Sequence, residues 1–233
     1  MLFKINGERN SGTRFLSKIM IANFGREMVH IHGKYCDNNK QVLYWKHGAP
    51  QDEQKKLDDK VIDIFIFREL TSWLVSMHSN DNYQKRTPNF TDFLMKKLSN
   101  SNTAFKNYVT KLPINIDDND KTIFDIRYFK YKQIIKYANR NKNCIFIDMH
   151  YLQNPKNCLN FLIQLNNKFH LGKSVKEGDY VTRIAQHTRT KKTGYINRNH
   201  KINAHDYIGT INDHKNTEIE EEINKLAQGP RYF

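Results

Sequence analysis

Short apolar strands alternating with helices along most of the chain predict an α/β fold, a central parallel sheet flanked by helices. Three observations carry that expectation. Val61–Phe67 is almost wholly apolar and rich in β-branched and aromatic residues, as a parallel strand covered on both faces must be. Leu2–Asn6 is a second short apolar run, stopped by Gly7. After Thr13, residues Phe15, Leu16, Ile19, Met20 and Phe24 recur at helical spacing, and Gly25 stops the helix.

The remaining elements follow the same rhythm. Val42–Trp45 reads as a short strand closed by His47-Gly48-Ala49-Pro50. Glu69–His78 reads as a helix with Leu70, Trp73, Leu74 and Met77 on one face. Residues 79–90 are polar with Pro88 and are expected to be a loop, followed by a helical stretch over Asp92–Leu98. Ile126, Phe129, Ile134 and Tyr137 predict a longer helix, Cys144–Ile147 a strand, and Pro155–Asn167 a helix with Leu159, Leu162, Ile163 and Leu165 inward. Gly172–Asn216 is polar and basic with no clear periodicity, and Glu218–Leu226 reads as a short charged helix. Internal repeats are absent, and 233 residues suit a single domain spanning 1–233 with a core of its own.

Cys36, Cys144 and Cys158 form an odd, widely spaced set with no CxxC pair, which argues against a disulfide framework or a zinc site. His30 and His32 alternate on a possible strand, but no carboxylate or thiol has ligand spacing to them, so no metal is expected. The opening apolar run Met1–Ile5 is too short for a signal peptide, and no run approaches the ~20 residues needed to cross a bilayer. The expected location is therefore the cytoplasm, without a membrane anchor. A formal net charge of +14 favours polyanionic ligands. The lysine excess accompanies abundant Asn and Ile, a composition that AT-rich coding produces, so charge alone does not point to nucleic acid.

The chemistry concentrates near the N-terminus. Gly7-Glu8-Arg9-Asn10-Ser11-Gly12-Thr13 has the G-x-x-x-x-G spacing of a phosphate loop between a strand and a helix, with Thr13 where a nucleotide kinase carries Lys. Glycines let backbone N–H groups curl around a phosphate, and the helix N-terminus adds partial positive charge. Ser11 and Thr13 offer hydroxyls, and Arg9 and Arg14 fixed charge. The missing Lys argues against ATP or GTP hydrolysis, because that residue bridges the β and γ phosphates. A plain strand-turn-helix would use the same glycines.

Asn10-Ser11-Gly12-Thr13 resembles the 5′-phosphosulfate loop of the sulfotransferase family that uses 3′-phosphoadenylyl sulfate, where Lys or Arg precedes Ser-Gly-Thr. Here Asn10 stands in the basic position, so Arg9 or Arg14 would take over its charge. The family binds the 3′-phosphate with an Arg at a strand end and a Ser eight residues on; Arg68 and Ser76 match that spacing. Eight residues cover a turn and about two helical turns, which returns the hydroxyl toward the Arg. Between these sites, Trp45-Lys46-His47-Gly48-Ala49-Pro50 is similar to the family's Lys-Thr-His-x-Pro segment, although Lys46 and His47 are adjacent.

The resemblance implies a phosphate-loop sulfotransferase fold and transfer of a sulfuryl group to an acceptor hydroxyl or amine, on a small molecule or carbohydrate. His47 would be the general base, with Glu8 as the rival, and Lys46 and Arg9 would steady the leaving phosphate. The cofactor would be held by Arg9, Asn10, Ser11, Gly12, Thr13, Arg14, Arg68 and Ser76. Arg189, Lys191 and Lys192, followed by Gly194, loosely resemble the family's Arg-Lys-Gly stretch over the 3′-phosphate. The rival readings are a kinase with a degenerate phosphate loop and a non-catalytic nucleic-acid-binding protein. Tyr and Phe residues at 124–137, with Arg127 and Lys130, could stack bases, but packing of a helix core explains the aromatics more simply.

Overall fold

The computed structural model describes residues 1–30, 47, 50, 61–79, 89–96, 122–173, 178, 180–183 and 214–228. In chain order the elements are β1 (Leu2–Gly7), α1 (Thr13–Phe24), β2 (Val29–His30), β3 (Val61–Phe67), α2 (Leu70–His78) and α3 (Phe90–Met95). They continue with α4 (Ile123–Arg140), β4 (Cys144–Asp148), α5 (Met149–Gln153), α6 (Pro155–Phe169) and α7 (His214–Gln228). The four strands form one all-parallel sheet in the order β2-β1-β3-β4. The α/β class with a central parallel sheet and flanking helices is thus observed.

Most boundaries agree with the sequence to within a residue or two. The helix expected at Asp92–Leu98 instead runs over Phe90–Met95, because Asn89 caps it by accepting from the Thr91 N–H (2.8 Å). α5 was not anticipated: Asp148, the last residue of β4, also caps it, so strand and helix abut with no turn residues to mark the change. α7 is longer than the Glu218–Leu226 reading and is docked through Ile219 and Ile223. The strand read at Val42–Trp45 lies outside the described residues.

Alternation along β1 and β3 sorts the two faces of the sheet. Phe3, Ile5, Ile62, Ile64, Ile66, Ile145 and Ile147 pack in one cluster with Leu16, Ile19 and Met20 of α1 and Leu162 and Leu165 of α6. The opposite face carries Phe65, Phe67, Cys144 and Phe146, covered by Tyr131, Ile134 and Tyr137 of α4 and by α7. On that second face β1 contributes polar residues, Lys4 and Asn6, both about 1 % exposed. Their partner is Asp63 of β3, paired with Lys4 in the strand register. Asp63 Oδ1 lies 3.5 Å from Lys4 Nζ and accepts from Asn6 Nδ2 (2.7 Å), while Oδ2 accepts from the Tyr137 hydroxyl (2.7 Å). The node is saturated, as burial of charge demands.

β1 leads by α1 to β2 on one side, whereas β3, on the other side of β1, leads onward to β4. The carboxyl ends of β1 and β3 therefore flank a topological switch point, where open parallel sheets leave a crevice for ligands. Gly7 pairs with Ile66 at that edge. A Cβ there would lie 2.4 Å from the Ile66 carbonyl oxygen, so only glycine lets the strands stay this close.

Removing Lys4 takes its cation away from the buried Asp63 carboxylate, which keeps the Asn6 and Tyr137 donors. Lys4→Met should cost about 3 kcal/mol, the low end for breaking a buried pair, because those donors remain. Urea unfolding checks it, and Lys4→Met/Asp63→Asn should recover part of the loss.

Candidate functional site

At the carboxyl end of β1 the chain turns through Glu8-Arg9-Asn10-Ser11-Gly12 into α1. Asn10 (φ 62°) and Gly12 (φ 104°) take left-handed backbone on either side of Ser11. Asn tolerates that region and glycine adopts it freely; a Cβ at Gly12 would also meet the Met149 side chain at the start of α5, which would have to shift. Gly12 caps α1 with no side-chain hydrogen bond, so the helix meets the crevice with N–H groups that no side chain caps.

Four successive carbonyls of this loop accept from fixed donors. The Gly7 oxygen lies 2.8 Å from His47 Nδ1. The Glu8 oxygen accepts from the Ser11 hydroxyl (2.8 Å) and the Ser11 N–H (3.2 Å). Trp73 Nε1–H of α2 donates to the Arg9 oxygen (2.8 Å), and Arg68 Nη1 to the Asn10 oxygen (3.3 Å). Among the described residues no peptide bond is cis, so each N–H points away from the carbonyl of its own peptide unit. Protein donors thus answer the negative ends of these dipoles, and the Ser11 N–H is itself spent on the Glu8 oxygen.

The sequence-predicted residues converge here in part. Arg9, Asn10, Gly12 and Arg68 are partly exposed at the crevice and Arg14 is exposed on α1. His47 joins them through Gly7. Ser76 is reached differently from the expectation, because its carbonyl accepts from Asn10 Nδ2 (3.0 Å). The Ser11 hydroxyl closes the loop on Glu8 with the side chain fully buried, rather than turning outward, and Thr13 is buried at the first turn of α1. Lys46, Arg189, Lys191, Lys192 and Gly194 lie outside the described residues. Among the described residues no group of three or more His, Cys, Asp or Glu side chains could hold a metal ion, and no helix is long and apolar enough to cross a membrane.

Glu8 is fully buried and committed to a pair. Its Oε2 accepts from Arg127 Nη1 (2.9 Å) and from the Tyr131 hydroxyl (2.8 Å), both on α4. A carboxylate held that way is placed to anchor the loop, not to take a proton at a solvent-facing crevice. Arg127 is also fully buried. Its Nη2 donates to the Arg68 carbonyl (2.8 Å) and contacts Glu220 of α7, and its guanidinium lies 4.7 Å from the Trp73 ring and 4.8 Å from the Tyr131 ring. Burial pushes the Lys130 amine down to about 8; Glu8 opposes this, and Arg127 and Arg9 add to it.

Sequence reasoning passed over this second layer. The signal was present: Arg127 and Lys130 share the buried stripe of α4 with Phe124, Tyr131 and Ile134, and a cation on an apolar stripe requires a buried acceptor. Comparison with protein-family models, curated proteins and solved structures finds no match, so the reading below rests on the chain itself.

These buried groups set the alkaline limit of stability. Burial lowers Lys4 and Lys130 to about 8, so between pH 8 and their ordinary 10.5 the unfolded chain binds more protons and stability rises with pH. Burial raises the hydroxyls of Tyr131 and Tyr137 and the thiols of Cys144 and Cys158, so above their ordinary 9–10 the folded chain binds more protons and stability falls. Among the described residues these four groups outweigh Lys4, Lys130 and the less buried Lys168, also lowered by burial, once all titrate. Stability should rise from pH 8 to about 9 and fall beyond pH 10, by about 1.4 kcal/mol per pH unit for each uncompensated group. Denaturant unfolding across that range reads it.

Proposed function

We propose that the chain is a sulfotransferase that draws its sulfuryl group from 3′-phosphoadenylyl sulfate and delivers it to an acceptor hydroxyl or amine. The observation that carries the reading is the loop whose carbonyls, Gly7 to Asn10, are all held by donors, with a histidine among those donors and no lysine after Gly12. The donor set fits such a ligand: Arg9, Arg14 and the uncapped start of α1 suit a 5′-phosphosulfate, and Arg68 at the end of β3 suits a second phosphate. Bound there, the cofactor supplies an electrophilic sulfuryl group on a phosphate leaving group.

His47 takes the acceptor's proton. A carbonyl oxygen only accepts, so its contact with Nδ1 puts the ring proton on Nδ1 and the basic lone pair of the neutral imidazole on Nε2. Lys46, Arg9 and the loop N–H groups balance the charge that gathers on the leaving phosphate. We assign Arg68, with Asn10 and Ser76 behind it, to the 3′-phosphate, the contact that separates this cofactor from ATP. The acceptor is a small molecule or carbohydrate. The setting we propose is the cytoplasm, consistent with free, buried thiols at Cys144 and Cys158.

Adenosine 3′,5′-bisphosphate at about 100-fold its dissociation constant should stabilise the protein by roughly 2.7 kcal/mol, read as a rise in melting temperature. 5′-AMP at the same concentration should do much less. Equal shifts with both, or a larger one with ATP and magnesium, would replace this reading with the kinase one.

His47→Ala should lower turnover by about 10²–10⁴-fold, the usual contribution of a positioned base, with bisphosphate affinity nearly intact. Transfer to a panel of phenols and sugars measures it. Normal turnover in that variant would remove His47 from the mechanism.

A further inference from the structure

We infer that Arg127 is a positioning residue that fixes the distance between the phosphate loop and the Arg68 arm, and so sets the preference for a doubly phosphorylated ligand; this rests on the function proposed above. Arg127 is fully buried, so it acts through others. One planar guanidinium holds both halves of the site. Nη1 binds the Glu8 carboxylate, in the residue that opens the loop, and Nη2 binds the carbonyl of Arg68 itself. It lies over the rings of both Trp73 and Tyr131. Trp73 in turn donates to the Arg9 carbonyl, and Tyr131 to the same Glu8 oxygen as Arg127. Both aromatic residues beside the guanidinium therefore also bind the loop.

The rigid fork is what the arrangement needs. A guanidinium presents N–H groups at a fixed angle, so two acceptors on different strands are held at one separation. A lysine keeps the charge beside Glu8 but imposes no separation. A ligand with one phosphate uses the loop or the arm singly and does not sense the span between them. A ligand with phosphates at both ends does.

The test is Arg127→Lys, with calorimetric titration of adenosine 3′,5′-bisphosphate and of 5′-AMP. The ratio of the two affinities should fall roughly tenfold or more, the worth of one charge-assisted hydrogen bond, while 5′-AMP affinity stays near its original value. Equal weakening of both ligands, or none, overturns the proposal. Hydrogen exchange on the ligand-free protein gives a readout that needs no cofactor. In Arg127→Lys, amides at Arg9–Thr13 and at Arg68–Thr71 should lose protection together while those of Ile62–Ile66 keep theirs. Loss at one segment alone, at neither, or throughout the sheet overturns it. Should the unaltered protein show no preference for the bisphosphate, the cofactor reading fails and the exchange result alone decides the role of Arg127. Should Arg127→Lys not fold, Glu8→Gln/Arg127→Gln/Glu220→Gln leaves no member of that ionic set charged and passes through the same two measurements, with the same outcomes for and against.

Discussion

The Glu8–Arg127 pair is the constraint on which the crevice depends. Glu8 follows directly on β1 and is fully buried, a position where a carboxylate without a partner would be worth several kcal/mol of penalty. Arg127 removes that penalty and ties the loop to α4. Pairs of this kind contribute little net stability compared with well-packed apolar residues, so energy alone does not explain this one. Its product is geometric. The same guanidinium reaches the Arg68 carbonyl and Glu220, so β1, β3, α4 and α7 meet at one group.

A second consequence runs along β1. Lys4 and Glu8 stand on one face, four residues or about 13 Å apart. Lys4 answers through Asp63 to Tyr137, and Glu8 to Tyr131 and Arg127. Those α4 residues are six to ten positions apart, about 9–15 Å along a helix. The two spans match, with the low number on the strand set against the high number on the helix. α4 therefore runs antiparallel to β1 and is pinned to it at two polar points. Apolar packing could slide by a turn at small cost. Two polar nodes at matched spacing cannot, because either slip would separate buried charges from their partners.

The fold class was legible because β3 and β4 are continuous apolar runs and α1, α2 and α6 have clean apolar faces. The loop was legible from two glycines at a fixed spacing, and the structure gives each a reason: close approach to Ile66 at Gly7, left-handed backbone at Gly12. Arg68 and His47 were found for their chemical type, and both reach the loop. The hydroxyl of Ser11 was assigned the wrong direction because sequence shows that a hydroxyl is present but not which acceptor is nearest. Glu8 was weighed as a base for the same reason, since a carboxylate beside a phosphate loop looks alike whether it faces solvent or an arginine more than a hundred residues away. Long-range pairing is what the sequence withholds. Short helices such as α5, capped by a strand's own last residue, are hidden by the lack of any turn signal between the two elements.

The arrangement of donors also explains how a loop without the phosphate-loop lysine could favour an anion. A peptide group brings an acceptor as well as a donor, and an unanswered carbonyl beside a phosphate repels it. In this loop the carbonyls of residues 7 to 10 are answered by His47, Ser11, Trp73 and Arg68. Two of those donors are neutral and lie behind the backbone, and a third is an arginine already at the crevice edge. On the function proposed above, the loop would attract an anion by removing the negative ends of the dipoles from view, not by adding a mobile ammonium group. An ammonium on a flexible stem follows a phosphate wherever it moves, whereas fixed dipoles favour one location. The transfer we propose asks for that fixity, because its phosphate is the leaving group and must stay in place while the sulfuryl group departs from it. The rigidity comes from α2 and α4, and through Trp73 and Arg127 it returns to the pair that buried Glu8.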